Sequence, residues 1–291
     1  MIPIVDLKRQ YKQTGEEIEK AVVDVLRSGA YILGPNTKAL EQEFSQYLGT
    51  KHAIGLNSGT DALHLALRAL DIGKGDEVIT VAFTFVATTE SIEIVGATPV
   101  FVDIDPDTFN MDVTQIEDKI TPRTKAIMPV HLYGQPADMD VIMDIAKRHN
   151  LYVIEDCCQA VGAEYKGKKV GSFGDIGAYS FFPTKNLGGM GDGGMAVTNS
   201  DFLKDRMIAL RNHVGAVRYH HDEIGVNSRL DEIQSAILRV KMNYIDEWNK
   251  MRREVAHRYT ELFKDCEDVI TPKELDDTCL LYTSPSPRDG A

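Results

Sequence analysis

The spacing of apolar positions changes period from segment to segment along this chain. "TGEEIEKAVVDVLRSG" (14–29) places Ile18, Ala21, Val22 and Val25 on one helical face. Its opening pair, Thr14 and Glu17, has the spacing of a capping box and predicts a helix start at Thr14. A second helix is predicted from about Thr37 to Leu48, closed by Gly49, and "GTDALHLALRAL" (59–70) reads as a buried helix. Four runs follow another rule. "EVITV" (77–81), "TPVFVDI" (98–104), "KAIMPV" (125–130) and "LYVIEDC" (151–157) are short, rich in Val and Ile, and separated by helical stretches. That is the rhythm of βα units on a parallel sheet buried on both faces. A strand-like run precedes Lys185, "GGMAVTN" (193–199) is a further strand, and long helices are expected from about Leu230 to Asn249 and on to Phe263. The predicted fold is α/β, a mostly parallel central sheet flanked by helices.

Composition narrows the classes. The chain has 291 residues, 43% of them apolar and 26% charged, as in an ordinary globular protein. A formal net charge of −12 argues against a broad nucleic-acid or anionic-membrane surface, while leaving room for a local basic pocket. The cysteines Cys157, Cys158, Cys266 and Cys279 form no C-x-x-C pair, so neither a disulfide framework nor a metal site is expected, and a reducing cytoplasm fits. The first residues lack the apolar core of a signal peptide, and no apolar run approaches membrane-spanning length. After residue 278 the chain turns Ser/Pro-rich and aperiodic. Residues 279–291 therefore read as a non-native tail, with the native protein continuing beyond residue 278.

Four segments carry candidate chemistry. "NSGTDAL" (57–63) sets Ser58, Gly59 and Thr60 at the mouth of a helix, where free N–H groups and the helix dipole suit an anion or simply make an N-cap. "VIEDCCQAVGA" (153–163) ends an apolar strand on Glu155 and Asp156; a carboxylate there can bind a metal, cap the next helix, or hold a proton on a heterocyclic nitrogen. "VAFTFVATTE" (81–90) offers Phe83 and Phe85, either a stacking platform or core rings. "GAYSFFPTKNLGGMGDGGMAV" (177–197) places Lys185 between aromatics and a glycine-rich loop. Gly189, Gly191 and Gly194 match G-x-G-x-x-G formally, yet a strand follows them rather than a helix, which excludes a dinucleotide fingerprint. A phosphate anchor, a carboxylate for a pyridine nitrogen, an aromatic platform and a lysine able to form an imine are together the inventory for pyridoxal phosphate. On that reading the glycines let the backbone pass close to the cofactor.

"NSGTDAL", "VIEDCCQAVGA", "SFFPTKNLGG" and "IGVNSRLDEIQSAIL", in that order, resemble the DegT/StrS-like sugar aminotransferases, from about Ile2 to at least Phe263. The resemblance implies the fold-type I architecture, with a large cofactor-binding domain over 1–248 and the start of an incomplete smaller domain over 249–278. It implies Lys185 as the Schiff-base lysine and Asp156 as the partner of the pyridine nitrogen. Gln159 would lie near the phenolic oxygen, Gly59, Thr60 and Ser180 in the phosphate cradle, and Phe85 as the stacking ring. Asn227 would reach the phosphate of a neighbouring subunit, which implies a homodimer with shared active sites. His213, Arg218, His220 and His221 lie in a segment that approaches the sugar nucleotide in the family. The implied reaction moves an amino group from L-glutamate to a nucleotide-linked keto-deoxysugar, and "PVHLYGQPADMD" (129–140) favours 3-keto over 4-keto acceptors by analogy. "GDGG" stands where the family commonly has "GEGG". A non-catalytic sensor of the same fold, or an inactive fragment, are the rival readings.

Overall fold

The computed structural model describes residues 5–214, 223–275 and 278–279. Its centre is a seven-stranded sheet built from β1 (His52–Leu56), β2 (Glu77–Val81), β3 (Thr98–Val102), β4 (Thr124–Met128), β5 (Tyr152–Asp156), β8 (Ile176–Ser180) and β9 (Gly194–Thr198). A short hairpin, β6 (Glu164–Tyr165) and β7 (Lys168–Lys169), lies between β5 and β8 and pairs with β10 (Thr278–Cys279). The order across the large sheet is β1-β9-β8-β5-β4-β2-β3. All its pairings are parallel except those of β9, which runs against both β8 and β1. Register places Gly194 opposite Ser180 on one side and Leu56 on the other, so two strand ends and one strand beginning meet at one edge of the sheet.

Both faces are covered over the central strands, which is why these read as apolar runs, whereas the edge strand β3 is only partly buried, with Phe101 exposed. Successive residues of β8 and β9 feed opposite cores, as a two-residue pleat requires. Ala178 and Ala196 join Leu63, Leu67 and Met207 under α3 (Gly59–Ala69) and α6 (Asp201–Arg211), while Tyr179, Met195 and Val197 pack with Phe44 and Leu238 under α2 (Pro35–Leu48) and α7 (Glu232–Met242). A third core, including Ile79, Ile127, Ile142 and Val153, sits between the sheet and α5 (Met139–His149), and α4 (Ala87–Ile94) leads from β2 towards β3.

Several expectations are corrected. Helix α1 spans Leu7–Ser28, capped by the Asp6 side chain on the Arg9 N–H, and so begins two turns before Thr14. Thr14 is buried inside the helix and its hydroxyl donates to the Gln10 carbonyl (3.2 Å), the common alternative for a mid-helix threonine. The long C-terminal helical pattern is two helices, α7 and α8 (Ile245–Phe263), interrupted at Asn243 and Tyr244. The first turns of α8 bury Ile245, Trp248 and Asn249. Among the described residues no helix is long and apolar enough to cross a membrane.

Candidate active site

The carboxyl ends of β1, β2, β4, β5 and β8 open onto one cavity of about 630 Å³. This is where a parallel α/β sheet presents a ligand site, because connections diverge there and leave a crevice. At the end of β1, Ser58 adopts an extended backbone and caps α3, its Oγ accepting from the Asp61 N–H at 3.1 Å. The first-turn N–H groups of Gly59 and Thr60 have no place in the helix ladder, and both residues line the cavity. A Cβ built on Gly59 would lie 2.7 Å from the Ser180 Cβ and 2.9 Å from the Cys158 sulfur. Only glycine lets α3, β8 and the β5 turn converge so closely. Ser180, the last residue of β8, also lines the cavity and accepts from the Phe182 N–H at 3.2 Å.

The two carboxylates that end β5 point to opposite uses. Glu155 is fully buried and accepts from the backbone N–H groups of Gly171 (2.6 Å), Phe173 (2.8 Å) and Gly174 (2.7 Å), with His131 at 3.1 Å. It organises the connection from β7 to β8. Asp156 faces the cavity, holding the Thr88 hydroxyl on Oδ2 (2.8 Å) and the Cys158 N–H on Oδ1 (3.1 Å). Two donors fix the plane of that carboxylate. Burial, reinforced by the carboxylates beside them, pushes the Cys157 and Cys158 thiols well above the usual range, so the cavity-lining Cys158 is a neutral thiol.

Gln159 also lines the cavity, its Oε1 accepting from the Tyr133 N–H at 3.0 Å. Tyr133 has φ 56°, an uncommon conformation for a bulky side chain. Phe83 leans on Phe109, ring centroids 6.1 Å apart, while Phe85 is 61% exposed at the cavity mouth. Lys185 is half-buried and reaches the cavity from the turn after β8. The cavity thus brings together Gly59, Thr60, Phe85, Asp156, Gln159, Ser180 and Lys185. It does not include Asn227 or His213. Asn227 is exposed beside Ser228, whose hydroxyl lies against Asn57, and His213 donates its N–H to the Val226 carbonyl (3.1 Å). Arg218, His220 and His221 lie outside the described residues. Thr88 and Tyr133 escape the sequence reading, because a threonine within a helix and a tyrosine after a strand carry no local signal of what lies across the sheet edge.

The glycine loop differs from expectation. None of Gly188, Gly189, Gly191, Gly193 and Gly194 has positive φ. What they avoid is mostly protein: a Cβ on Gly194 would lie 2.2 Å from the Ser58 carbonyl oxygen, one on Gly188 2.3 Å from the Pro183 carbonyl oxygen, and those on Gly189 and Gly191 within 2.9 Å of the Gln234 amide. Of the five, only Gly193 lines the cavity. His131, Glu155 and Cys157 lie close enough to share a cation, but both histidine nitrogens are engaged, with Glu155 and with the Ala137 N–H (3.0 Å), and the thiol is held protonated. That set is a closed structural network.

A helix N-terminus for a phosphate, a carboxylate fixed by two donors, an amide lining the same cavity, an aromatic at the mouth and an amine make a donor set that fits pyridoxal phosphate. Compared with known proteins, the sequence matches the DegT/DnrJ/EryC1/StrS aminotransferase family over residues 12–286. The chain belongs to that family. It is accordingly a pyridoxal-phosphate-dependent aminotransferase with the fold of the solved members. It is 53% identical to a "Pleiotropic regulatory protein" of Geobacillus stearothermophilus, covering 94% of this chain and 74% of that one. It is also 53% identical to a UDP-N-acetyl-3-dehydro-alpha-D-glucosamine 3-aminotransferase of Acidithiobacillus ferrooxidans, covering 89% of this chain and 70% of that one. The crystal structure of DesV from S. venezuelae, in complex with a ketimine intermediate, superposes with a TM-score of 0.94 at 44% identity, over 97% of this chain and 76% of that one. NtdA of Bacillus subtilis, solved with bound cofactor PMP, gives a TM-score of 0.86 at 36% identity, over 92% of this aminotransferase and 61% of that chain.

Proposed function

We propose that this aminotransferase carries an amino group from L-glutamate to a nucleotide-linked 3-keto sugar. The observation that carries the reading is the convergence of Lys185, Asp156 and Gln159 on the cavity whose floor is the N-terminus of α3. The Acidithiobacillus relative, named for a 3-amino transfer onto a UDP-linked sugar, supports the 3-keto acceptor.

When bound, pyridoxal phosphate supplies an electron sink for the bond-breaking at carbon. The chain supplies the rest. Gly59 and Thr60 would bind the phosphate through backbone N–H groups at the positive end of α3, with Ser180 beside them. Asp156, held by Thr88 and Cys158, would keep a proton on the pyridine nitrogen. Gln159 and Phe85 would orient the ring from the wall and the mouth. Lys185, freed by the amino donor, would take a proton at Nζ from the donor's α-carbon and return it to the reacting centre. Asn227, exposed and outside its own chain's cavity, would serve the site of a second copy in a homodimer. The exposed Phe85, Val86 and Phe182 at the cavity mouth support burial of this rim against that copy. His213, Arg218, His220 and His221 would face the nucleotide diphosphate. Free cysteines at Cys157, Cys158 and Cys266 support a cytoplasmic setting.

The test combines pyridoxal phosphate with borohydride reduction and peptide mapping. The expected outcome is a stable adduct on Lys185, absent in Lys185→Ala, and loss of the protein-bound visible band on adding L-glutamate to unreduced protein. Adduct elsewhere overturns the role of Lys185. A band that glutamate leaves unchanged, while a 3-keto sugar nucleotide binds, would favour the sensing role suggested by the Geobacillus relative's name.

A further inference from the structure

The glycine loop that follows Lys185 is gripped from outside the cavity by one helix. Gln234 and Lys241 stand seven residues apart on α7, two turns along the same face. The Gln234 amide binds both backbone groups of Met190, Oε1 accepting from the Met190 N–H (2.8 Å) and Nε2 donating to the Met190 carbonyl (3.2 Å). Gly189 and Gly191 flank that contact, and a Cβ on either would sit 2.9 or 2.8 Å from the amide. A G-x-G spacing is therefore the imprint of a flat side chain lying between two α-carbons. Two turns on, the buried Lys241 Nζ donates to the Gly188 carbonyl (2.6 Å) and to Gln10 Oε1 on α1 (3.0 Å). Gly188 is in turn pressed on the Pro183 carbonyl, two residues before Lys185, and the Gly189 N–H closes on the Phe181 carbonyl (2.7 Å).

We infer that Gln234 and Lys241 are positioning residues, which fix the path of residues 186–193 and through it the place of the Lys185 amine. The inference rests on the reading of Lys185 as the residue that joins the cofactor. Neither side chain lines the cavity, so their effect is exerted through the loop backbone alone. The amine is tethered to its Cα, so a displaced loop shifts the region that the stem can reach, and a misplacement of about 1 Å costs up to about a hundredfold in rate.

The experiment measures two quantities on Gln234→Leu, Gln234→Glu and Lys241→Met. The first is hydrogen exchange of the 186–193 amides without cofactor. The second is the rate at which Lys185 acquires a borohydride-fixed adduct from subsaturating pyridoxal phosphate. Gln234→Leu and Lys241→Met should speed exchange at Gly189 and Met190 and slow the adduct about tenfold or more. Gln234→Glu keeps the acceptor for the Met190 N–H, so it should recover part of both, and it decides the matter should the leucine variant not fold. Fast exchange with an adduct rate equal to wild type overturns the inference, as does unchanged exchange. Absence of a Lys185 adduct in the wild type overturns the underlying reading instead, and that arm separates the two failures.

Discussion

Asp156 owes its usefulness to a neighbour that the sequence hides. Thr88, on α4, donates to Oδ2, and without it one oxygen of a 5%-exposed carboxylate loses its donor. Thr88→Val preserves shape and removes the hydroxyl. We expect it to cost about 1 kcal/mol of stability and to weaken pyridoxal phosphate binding about tenfold, read by urea unfolding and by cofactor titration. Equal titrations would show that the Cys158 N–H alone suffices to hold Asp156. The contrast with Glu155 is instructive at this scale. Two adjacent acids on one strand point to opposite faces, so one folds the chain and the other faces the ligand. "VIED" itself shows no alternation, and it was the family resemblance that pointed to Asp156 rather than Glu155; the physical reason lies in what α4 and the 171–174 turn bring from elsewhere.

Elements were legible in proportion to how much of their burial is local. β2 and β9 are buried throughout and stand close to where Val and Ile clustered, whereas the start of α1 was displaced by Asp6, a cap with no capping-box partner. β1, "HAIGL", and the β6–β7 hairpin were not foreseen, since a five-residue strand with a glycine and a two-residue pair have almost no periodicity to show. The glycine loop was recognised as unusual without its protein neighbours, because glycine in a sequence announces a close approach without saying to what. Gly194→Ala tests the answer given by the fold. Its Cβ would meet the Ser58 carbonyl oxygen at 2.2 Å, so β9 must draw away from the start of α3. We expect a loss of about 1–3 kcal/mol and a larger fractional loss of phosphate-dependent cofactor affinity than of pyridoxal affinity. Equal losses for pyridoxal and its phosphate would detach Gly194 from the anchor.

At the scale of the whole molecule, the buried Lys241 links folding to pH. Desolvation lowers its pKa from 10.5 to about 8, so the fold carries an unfavourable cation below pH 8. Between about 8 and 10.5 the folded protein releases that proton while the unfolded chain keeps it, so stability rises with pH in this window. Relative to Lys241→Met, the wild type should gain at most about 3 kcal/mol across the window in urea unfolding. A pH-independent difference would mean that the amine is solvated. The sheet order has a different consequence, for the sequence of events in folding. β8 and β9 are neighbours along the chain and can pair early, but β9 must also receive β1, joining residue 198 to residue 52. Pairing over such a span is expected to form late, and it is this pairing that brings Ser58 and Gly59 to the rim. On refolding we therefore expect the lysine loop to be in place before the phosphate anchor is completed, so that cofactor binding waits on the closing of the sheet.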